Sequence, residues 1–299
     1  MKILLTGASG FLGNRLLHDF IAKKHQVIIT KRAHSDMTPF STHTHKFEAW
    51  NIDDFDLADI FQAHPDIEAI IHAATDYGHH ATMPTRTFWS NEAFPIRLMT
   101  LAIEYHVPLF INMDTFFNTG TEDYNYLRSY TLSKRHFQEW GKYCAELKKL
   151  AFINLKLFHL YGPNDNPNKF MPSVIKRCLA GEHIDLTSGE QKRDFIYLDD
   201  VVQAISLILS NTFDAGYHHY DIGSGHSCSI RSVVETVNGL CNNSATLNFG
   251  ALPTRTNELD DACANPAAIK TLGWKPLITL REGLISIIKE IETKVACIE

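Results

Sequence analysis

Tyr130 and Lys134 stand four residues apart in the stretch Tyr130-Thr131-Leu132-Ser133-Lys134. On a helix that spacing sends both side chains out of one face. A tyrosine phenol ionises near about pH 10, too high for easy proton transfer at neutrality. A neighbouring ammonium favours the phenolate and brings the phenol toward working pH. Tyr130 could then hand a proton to a substrate carbonyl as hydride arrives, and Thr115, after an apolar strand, could bond the same oxygen. Taken alone, the pair also fits an exposed helix face; its position in the chain decides between the readings.

That position follows a nucleotide-binding half. Thr6-Gly7-Ala8-Ser9-Gly10-Phe11-Leu12-Gly13 comes directly after the apolar run Lys2-Ile3-Leu4-Leu5, and Asn14 to Ile21 has helical apolar spacing. The glycines therefore sit at a strand-to-helix turn, where missing side chains let backbone N–H groups and the positive helix end approach a pyrophosphate. The spacing is Gly-x-x-Gly-x-x-Gly rather than Gly-x-Gly-x-x-Gly, so its weight comes from place rather than pattern. With a dinucleotide there, Lys134 could also hold the nicotinamide ribose, and an oxidised nicotinamide would add to the pull on Tyr130.

The elements that must position these residues alternate strand and helix with short joints. Strands are expected at Gln26–Thr30, Lys46–Ile52, Ile67–Ala74, Val107–Asn112 and Phe152–Leu157, and the Tyr130 helix at about Leu127–Leu150. This implies right-handed crossovers and an α/β fold, a Rossmann-type doubly wound parallel sheet with a smaller C-terminal substrate-binding lobe. Ligand binds beyond the carboxyl ends of such strands, where the glycine turn, Ala73-Ala74-Thr75 and Thr115 all fall. The texture changes at Tyr161-Gly162-Pro163. The expected division is a dinucleotide domain over residues 1–160, with segments returning near 196–225, and a discontinuous substrate lobe over 161–299.

A chain of 299 residues with a net charge of -6 and no sustained Lys/Arg stripe argues against nucleic acid or an anionic membrane as the main partner. The first strand starts at Lys2, no apolar run approaches a bilayer span, and a cytoplasmic location is expected. The six cysteines are scattered without a Cys-x-x-Cys pair, which fits reduced thiols. His43/His45, His79-His80 and His218-His219 lack a nearby Cys or carboxylate at ligand spacing, so no metal is expected.

These residues, with His72-Ala73-Ala74, Asn91, Tyr161-Gly162-Pro163, the stretch Gly189–Val201 and Leu272-Gly273-Trp274-Lys275-Pro276, resemble the extended short-chain dehydrogenase/reductases. The resemblance is to their NAD(P)-dependent epimerase/dehydratase family in particular, and it covers nearly the whole chain. It implies dinucleotide contacts from Gly7, Ser9, Gly10, Phe11, Leu12, Gly13, Lys31, Arg32, Asn51, Ile52, Ala73, Ala74, Thr75 and Asn91, beside Tyr130 and Lys134. It implies that Arg193 and Arg255 clamp a nucleotide-sugar diphosphate, as their planar forks suit, and that Lys169, Phe170 and His159 line the same ligand. Lys169 and His159 both depart from commoner asparagines. Asp76 and Tyr77, with His79, would face the sugar; Asp194 and the Asp199-Asp200 pair read as structural, the latter capping a helix.

Two departures narrow the reaction. The family's 4,6-dehydratases follow the active-site threonine with an acidic pair that eliminates water, and here Phe116-Phe117 follow Thr115. An acid at the end of the second strand would select NAD, and here Thr30-Lys31-Arg32 favours NADPH. The stretches Ile70–His79, Asp114–Phe117 and Ser133–Phe137 are similar to reductases of a 4-keto-3,6-dideoxy sugar carried on CDP. The expected activity is therefore NADPH-dependent reduction of the 4-keto group of a nucleotide-diphospho-deoxysugar, for O-antigen or similar polysaccharide. The alternative is a redox-neutral 4-epimerase with bound NAD, and the resemblance implies a homodimer.

Overall fold

In a computed structural model, residues 1–78, 84–118 and 127–296 are described. Lys2–Thr6 forms β1 because Ile3, Leu4 and Leu5 can be buried on both faces at once. Gly7 breaks the strand, and α1 follows over Phe11–Ala22. The chain continues through β2 (Gln26–Lys31), β3 (Phe47–Asn51), α2 (Leu57–Ala63) and β4 (Ala69–His72). Next come α3 (Pro84–Phe88), a π-helical turn over Trp89–Ala93, α4 (Phe94–Glu104), β5 (Leu109–Thr115), α5 (Arg128–Glu146) and β6 (Ala151–Leu157).

The central sheet has seven strands in the order β10-β6-β5-β4-β1-β2-β3, where β10 is Gly216–Ile222. The pairs β1–β2, β2–β3, β1–β4 and β4–β5 are parallel. Strand order reverses at β1, which has β2 on one side and β4 on the other. That is the switch point at which a crevice opens beyond the strand ends. One residue from each of five strands, Leu4, Ile28, Ile70, Phe110 and Phe152, belongs to a core with Phe61 of α2, Leu98 and Met99 of α4 and Phe137 of α5. Each such side chain contributes about 1.5–3 kcal/mol of burial.

The chain divides into two units, Met1–Lys156 with Ile205–Tyr220, and Leu157–Ala204 with Asp221–Glu299. In the second unit β7 (His159–Tyr161) and β11 (Ser227–Ser229) flank β9 (Lys192–Tyr197), while β8 (His183–Leu186) pairs with β12 (Thr246–Phe249). Its core joins α6 (Phe170–Leu179), α8 (Ile230–Leu240) and α10 (Leu280–Ala296) around Tyr161 and Phe195. Helix α7 (Leu198–Leu209), β13 (Asp261–Ala262) and the short α9 (Ala267–Lys270) complete the chain. Among the described residues no helix is long and apolar enough to cross a membrane.

Three expectations need correcting. The fourth strand stops at His72 rather than Ala74, because Ala74 N–H turns aside to Thr6 Oγ1. The Tyr130 helix ends at Glu146, not Leu150. Asp199 and Asp200 lie inside the first turn of α7 instead of capping it. The Asp200 carboxylate accepts from the backbone N–H groups of Leu277 (2.9 Å) and Ile278 (3.1 Å), tying down the loop ahead of α10. Asp194 is structural as read: it accepts from the N–H groups of Ser224, Gly225 and Ala264.

Candidate active site

The turn after β1 uses its glycines in different ways. Gly7 has φ +73°, and a Cβ there would lie 2.5 Å from Ala74 N. A Cβ on Gly13 would lie 2.0 Å from Gly7 O, so α1 packs directly on the turn. A Cβ on Gly10 would meet only Gly7 O, at 3.3 Å, and Gly10 N–H donates to that same oxygen at 2.9 Å. Gly10 begins α1 without a side-chain cap. A backbone cradle that added carbon atoms would fill, opening on a helix N-terminus, fits the pyrophosphate of a dinucleotide. Thr6 Oγ1 bonds His72 Nδ1 at 2.9 Å, coupling the start of this turn to the end of β4.

Thr115 ends β5, and Tyr130 and Lys134 leave the buried side of α5. The Thr115 side chain acts on the Tyr130 phenol as a hydrogen-bonding neighbour that lowers it. Lys134 Nζ donates to Met113 O at 2.8 Å and lies 6.0 Å from the centre of the Tyr130 ring. Burial pushes the Tyr130 phenol well above its ordinary range, with Tyr77 and Asp114 adding to the rise and Thr115 opposing it. Burial lowers Lys134 to about 8, against the pull of Asp114. This runs against the expectation that the ammonium brings Tyr130 toward neutrality: burial dominates, and Tyr130 stands ready as a proton donor.

The loop after β4 is fastened to α5. Asn91, buried in the π-helical turn, accepts from Asp76 N–H and donates to Asp76 O, both at 2.8 Å, and donates its second hydrogen to Ser133 Oγ at 2.9 Å. Both Nδ2 hydrogens are thereby used inside the chain, so Asn91 braces the site. Gly78, at φ +64°, comes so close to Ser129 that a Cβ would lie 2.6 Å from its Oγ. The result sets the Tyr77 ring 5.0 Å from that of Tyr130. Asp76 pairs with Arg86 at 2.7 Å. His79 lies outside the described residues. Ser133, which also donates to Tyr130 O, was passed over in the sequence although it stands directly before Lys134.

Lys31 closes β2, Arg32 donates to Ser90 Oγ at 2.8 Å, Asn51 ends β3 and Ile52 N–H bonds Lys31 O. Phe116 and Phe117 pack 4.0 Å apart, leaving an aromatic pair after Thr115. The other expected substrate residues belong to the second unit. Lys169 pairs with Asp165 at 2.8 Å just before Phe170 opens α6. Burial lowers His159 to about 4, and its ring lies 4.9 Å from Phe195. Arg193 is buried, donating to Lys192 O and Leu259 O at 2.7 Å and pairing with Glu258 at 3.0 Å. Arg255 is exposed.

A doubly wound sheet with a glycine cradle at its switch point and a Thr-Tyr-Lys set beside it defines a Rossmann-type short-chain dehydrogenase/reductase. Residues 3–223 match the profile of the NAD dependent epimerase/dehydratase family. The chain is 38% identical over 284 residues to CDP-abequose synthase of Salmonella muenchen, covering 95% of each. It is 32% identical to CDP-abequose synthase of Salmonella typhimurium over 294 residues, 97% of this chain and 98% of that one. The UDP-glucose 4-epimerase of Thermotoga maritima, solved with UDP-glucose, superposes with a TM-score of 0.86 at 22% identity over 99% of this chain and 100% of that one, a likeness of fold. The protein therefore belongs to the NAD dependent epimerase/dehydratase family.

Proposed function

We propose that this enzyme reduces the 4-keto group of a CDP-linked 3,6-dideoxy sugar with NADPH, as a step toward O-antigen sugars. The observation that carries the reading is a buried, protonated Tyr130 beside Thr115, which phenylalanines follow where elimination would need a carboxylate. The reduced dinucleotide supplies hydride. Tyr130 gives its phenolic proton to the carbonyl oxygen, Thr115 bonds that oxygen, and Lys134 offsets the phenolate charge left behind. Identity to two CDP-abequose synthases over nearly their whole lengths supports the CDP sugar. Lys31, the last residue of β2, and Arg32 after it support a 2′-phosphate, and Arg193 and Arg255 a diphosphate.

The test is nicotinamide absorbance on mixing the purified protein with NADPH and CDP-4-keto-3,6-dideoxyglucose. Rapid loss is expected, slower with NADH or a dTDP-4-keto-6-deoxy sugar. No loss, together with NAD released on denaturation, would overturn the reductase and favour the epimerase.

We further infer a homodimer through α5. Leu132, Trp140, Tyr143 and Leu147 are all exposed, and their spacing places them within an arc of about 80°. An exposed apolar stripe of that kind supports an interface there. Trp140→Glu should halve the mass seen by light scattering without lowering secondary-structure content; an unchanged mass would place the contact elsewhere.

A further inference from the structure

We propose that Asp114, a buried carboxylate beside the catalytic threonine, is kept ionised by a cage of amide donors and serves as the counter-charge that holds Lys134 as an ammonium. It is a positioning residue, acting through Lys134, and its importance for turnover rests on the reductase reading above.

The cage is built from four elements of the first unit. Asp114 Oδ1 accepts from Thr115 N–H at 2.7 Å, and Oδ2 accepts from Asn154 Nδ2 at 2.9 Å. Asn118 Nδ2 reaches both oxygens, at 3.4 and 3.2 Å. Arg135 Nε lies 3.4 Å from Asn118 Oδ1. Arginine cannot accept, so the oxygen end of Asn118 must face it and the NH2 end must face Asp114. An outer ring fixes the inner one. Asn118 Nδ2 also donates to Gln138 Oε1 at 2.9 Å, Gln138 donates to Tyr217 OH at 2.7 Å, and Asn112 donates to Asn154 Oδ1 at 2.7 Å. Every one of these contacts at the Asp114 carboxylate is a donor, so a carboxylic O–H would find no acceptor among them. Burial raises the Asp114 carboxyl from its ordinary value, and these donors, with Lys134, oppose that rise in favour of the charged form.

The need for that charge lies at Lys134, which is buried and bonded to the carbonyl of Met113, one residue before Asp114. Facing Lys134 are Tyr130 from α5 and His72 from β4; burial holds His72 well below its ordinary value, hence neutral, and Tyr130 is protonated. Tyr77 faces Tyr130 from the loop after β4. Around Asp114 from β10 stand Tyr217, reached through Gln138, and His219, whose Nδ1 is 3.3 Å from Asn154 Nδ2. Asp114 is thus the anion available to this ammonium among the described residues named here. Asp114 raises Lys134 and Lys134 lowers the Asp114 carboxyl, so each charge supports the other against burial. Burial indeed lowers Lys134 only to about 8, with Asp114 opposing the fall.

The test needs neither substrate nor dinucleotide, so its failure stands apart from failure of the reductase reading. Protein carrying carbon-13 at the lysine ε-carbons and the aspartate carboxyls is titrated by NMR, with Lys134 assigned from Lys134→Arg. Lys134 is expected to titrate near 8 in the native protein, and lower by about one unit or more in Asp114→Asn. An unshifted Lys134 in a folded Asp114→Asn would overturn the proposal. If that variant does not fold, the native protein decides. Asp114 must read as ionised at neutrality, and its protonation in acid must move the Lys134 signal. A neutral Asp114 carboxyl, or a Lys134 signal indifferent to it, would overturn the proposal equally. A merely structural carboxylate would leave the lysine unmoved.

Discussion

Replacing Tyr130 by phenylalanine is expected to lower the proposed reductase turnover by about a thousandfold, with affinity for the proposed cofactor, NADPH, unchanged within about twofold. The reasoning starts from desolvation. Tyr130 is 6% exposed, and burial holds its phenol protonated far above neutrality. In the reductive direction this is the state required, because the carbonyl oxygen gains negative charge as hydride arrives and must be met by an O–H. Phenylalanine keeps the ring, its 5.0 Å approach to Tyr77 and its place near Lys134, and removes only the hydroxyl and its interaction with Thr115. Stability should change little, since the lost hydrogen bond is worth about 1 kcal/mol. Stopped-flow decay of NADPH absorbance gives the rate, and fluorescence titration the affinity. A loss of less than tenfold would mean that another group, with Thr115 the first candidate, protonates the oxygen.

Legibility followed the range of the interactions. Lys2–Thr6, the glycine turn and α1 could be read because an apolar run, a break and a helical period follow one another within about twenty residues. Tyr130 and Lys134 could be paired for the same reason. The behaviour of Tyr130 could not, because a sequence displays the nearby charge of Lys134 and conceals the burial that raises the phenol. The Asn91 brace was likewise hidden. Its partners come from residues 76 and 133, and the π-helical turn that aims it depends on tertiary packing. The amide cage left a faint trace: Asn112 and Asp114 alternate in an otherwise apolar strand, and Asn154 stands in the middle of another. Polar residues in fully buried strands must find partners. For Arg193 the residue type was legible but its bonds to Leu259 O and Glu258 were not, because those partners lie over sixty residues away.

The second large effect is expected at Gly13, where local and tertiary preferences oppose each other. Inside a helix, alanine is better than glycine by about 1 kcal/mol, so Gly13→Ala should strengthen α1 considered alone. Its added carbon, however, would lie 2.0 Å from Gly7 O and 2.7 Å from Gly7 C. Those are backbone atoms of the turn itself, which has no side chain to swing aside. The helix must withdraw, at a cost of about 2–3 kcal/mol, and its withdrawal opens the backbone cradle proposed to receive the pyrophosphate. Dinucleotide affinity should fall about a hundredfold, equivalent to about 2.7 kcal/mol. Gly10→Ala separates the two effects, because its carbon would meet only Gly7 O at 3.3 Å. Stability there should change by no more than about 1 kcal/mol, the loss of a glycine cap, while binding still weakens if the backbone approaches a phosphate at that point. Thermal unfolding and NADPH titration of the two variants side by side measure both quantities. Native affinity in Gly13→Ala would show that the turn serves only to join β1 to α1.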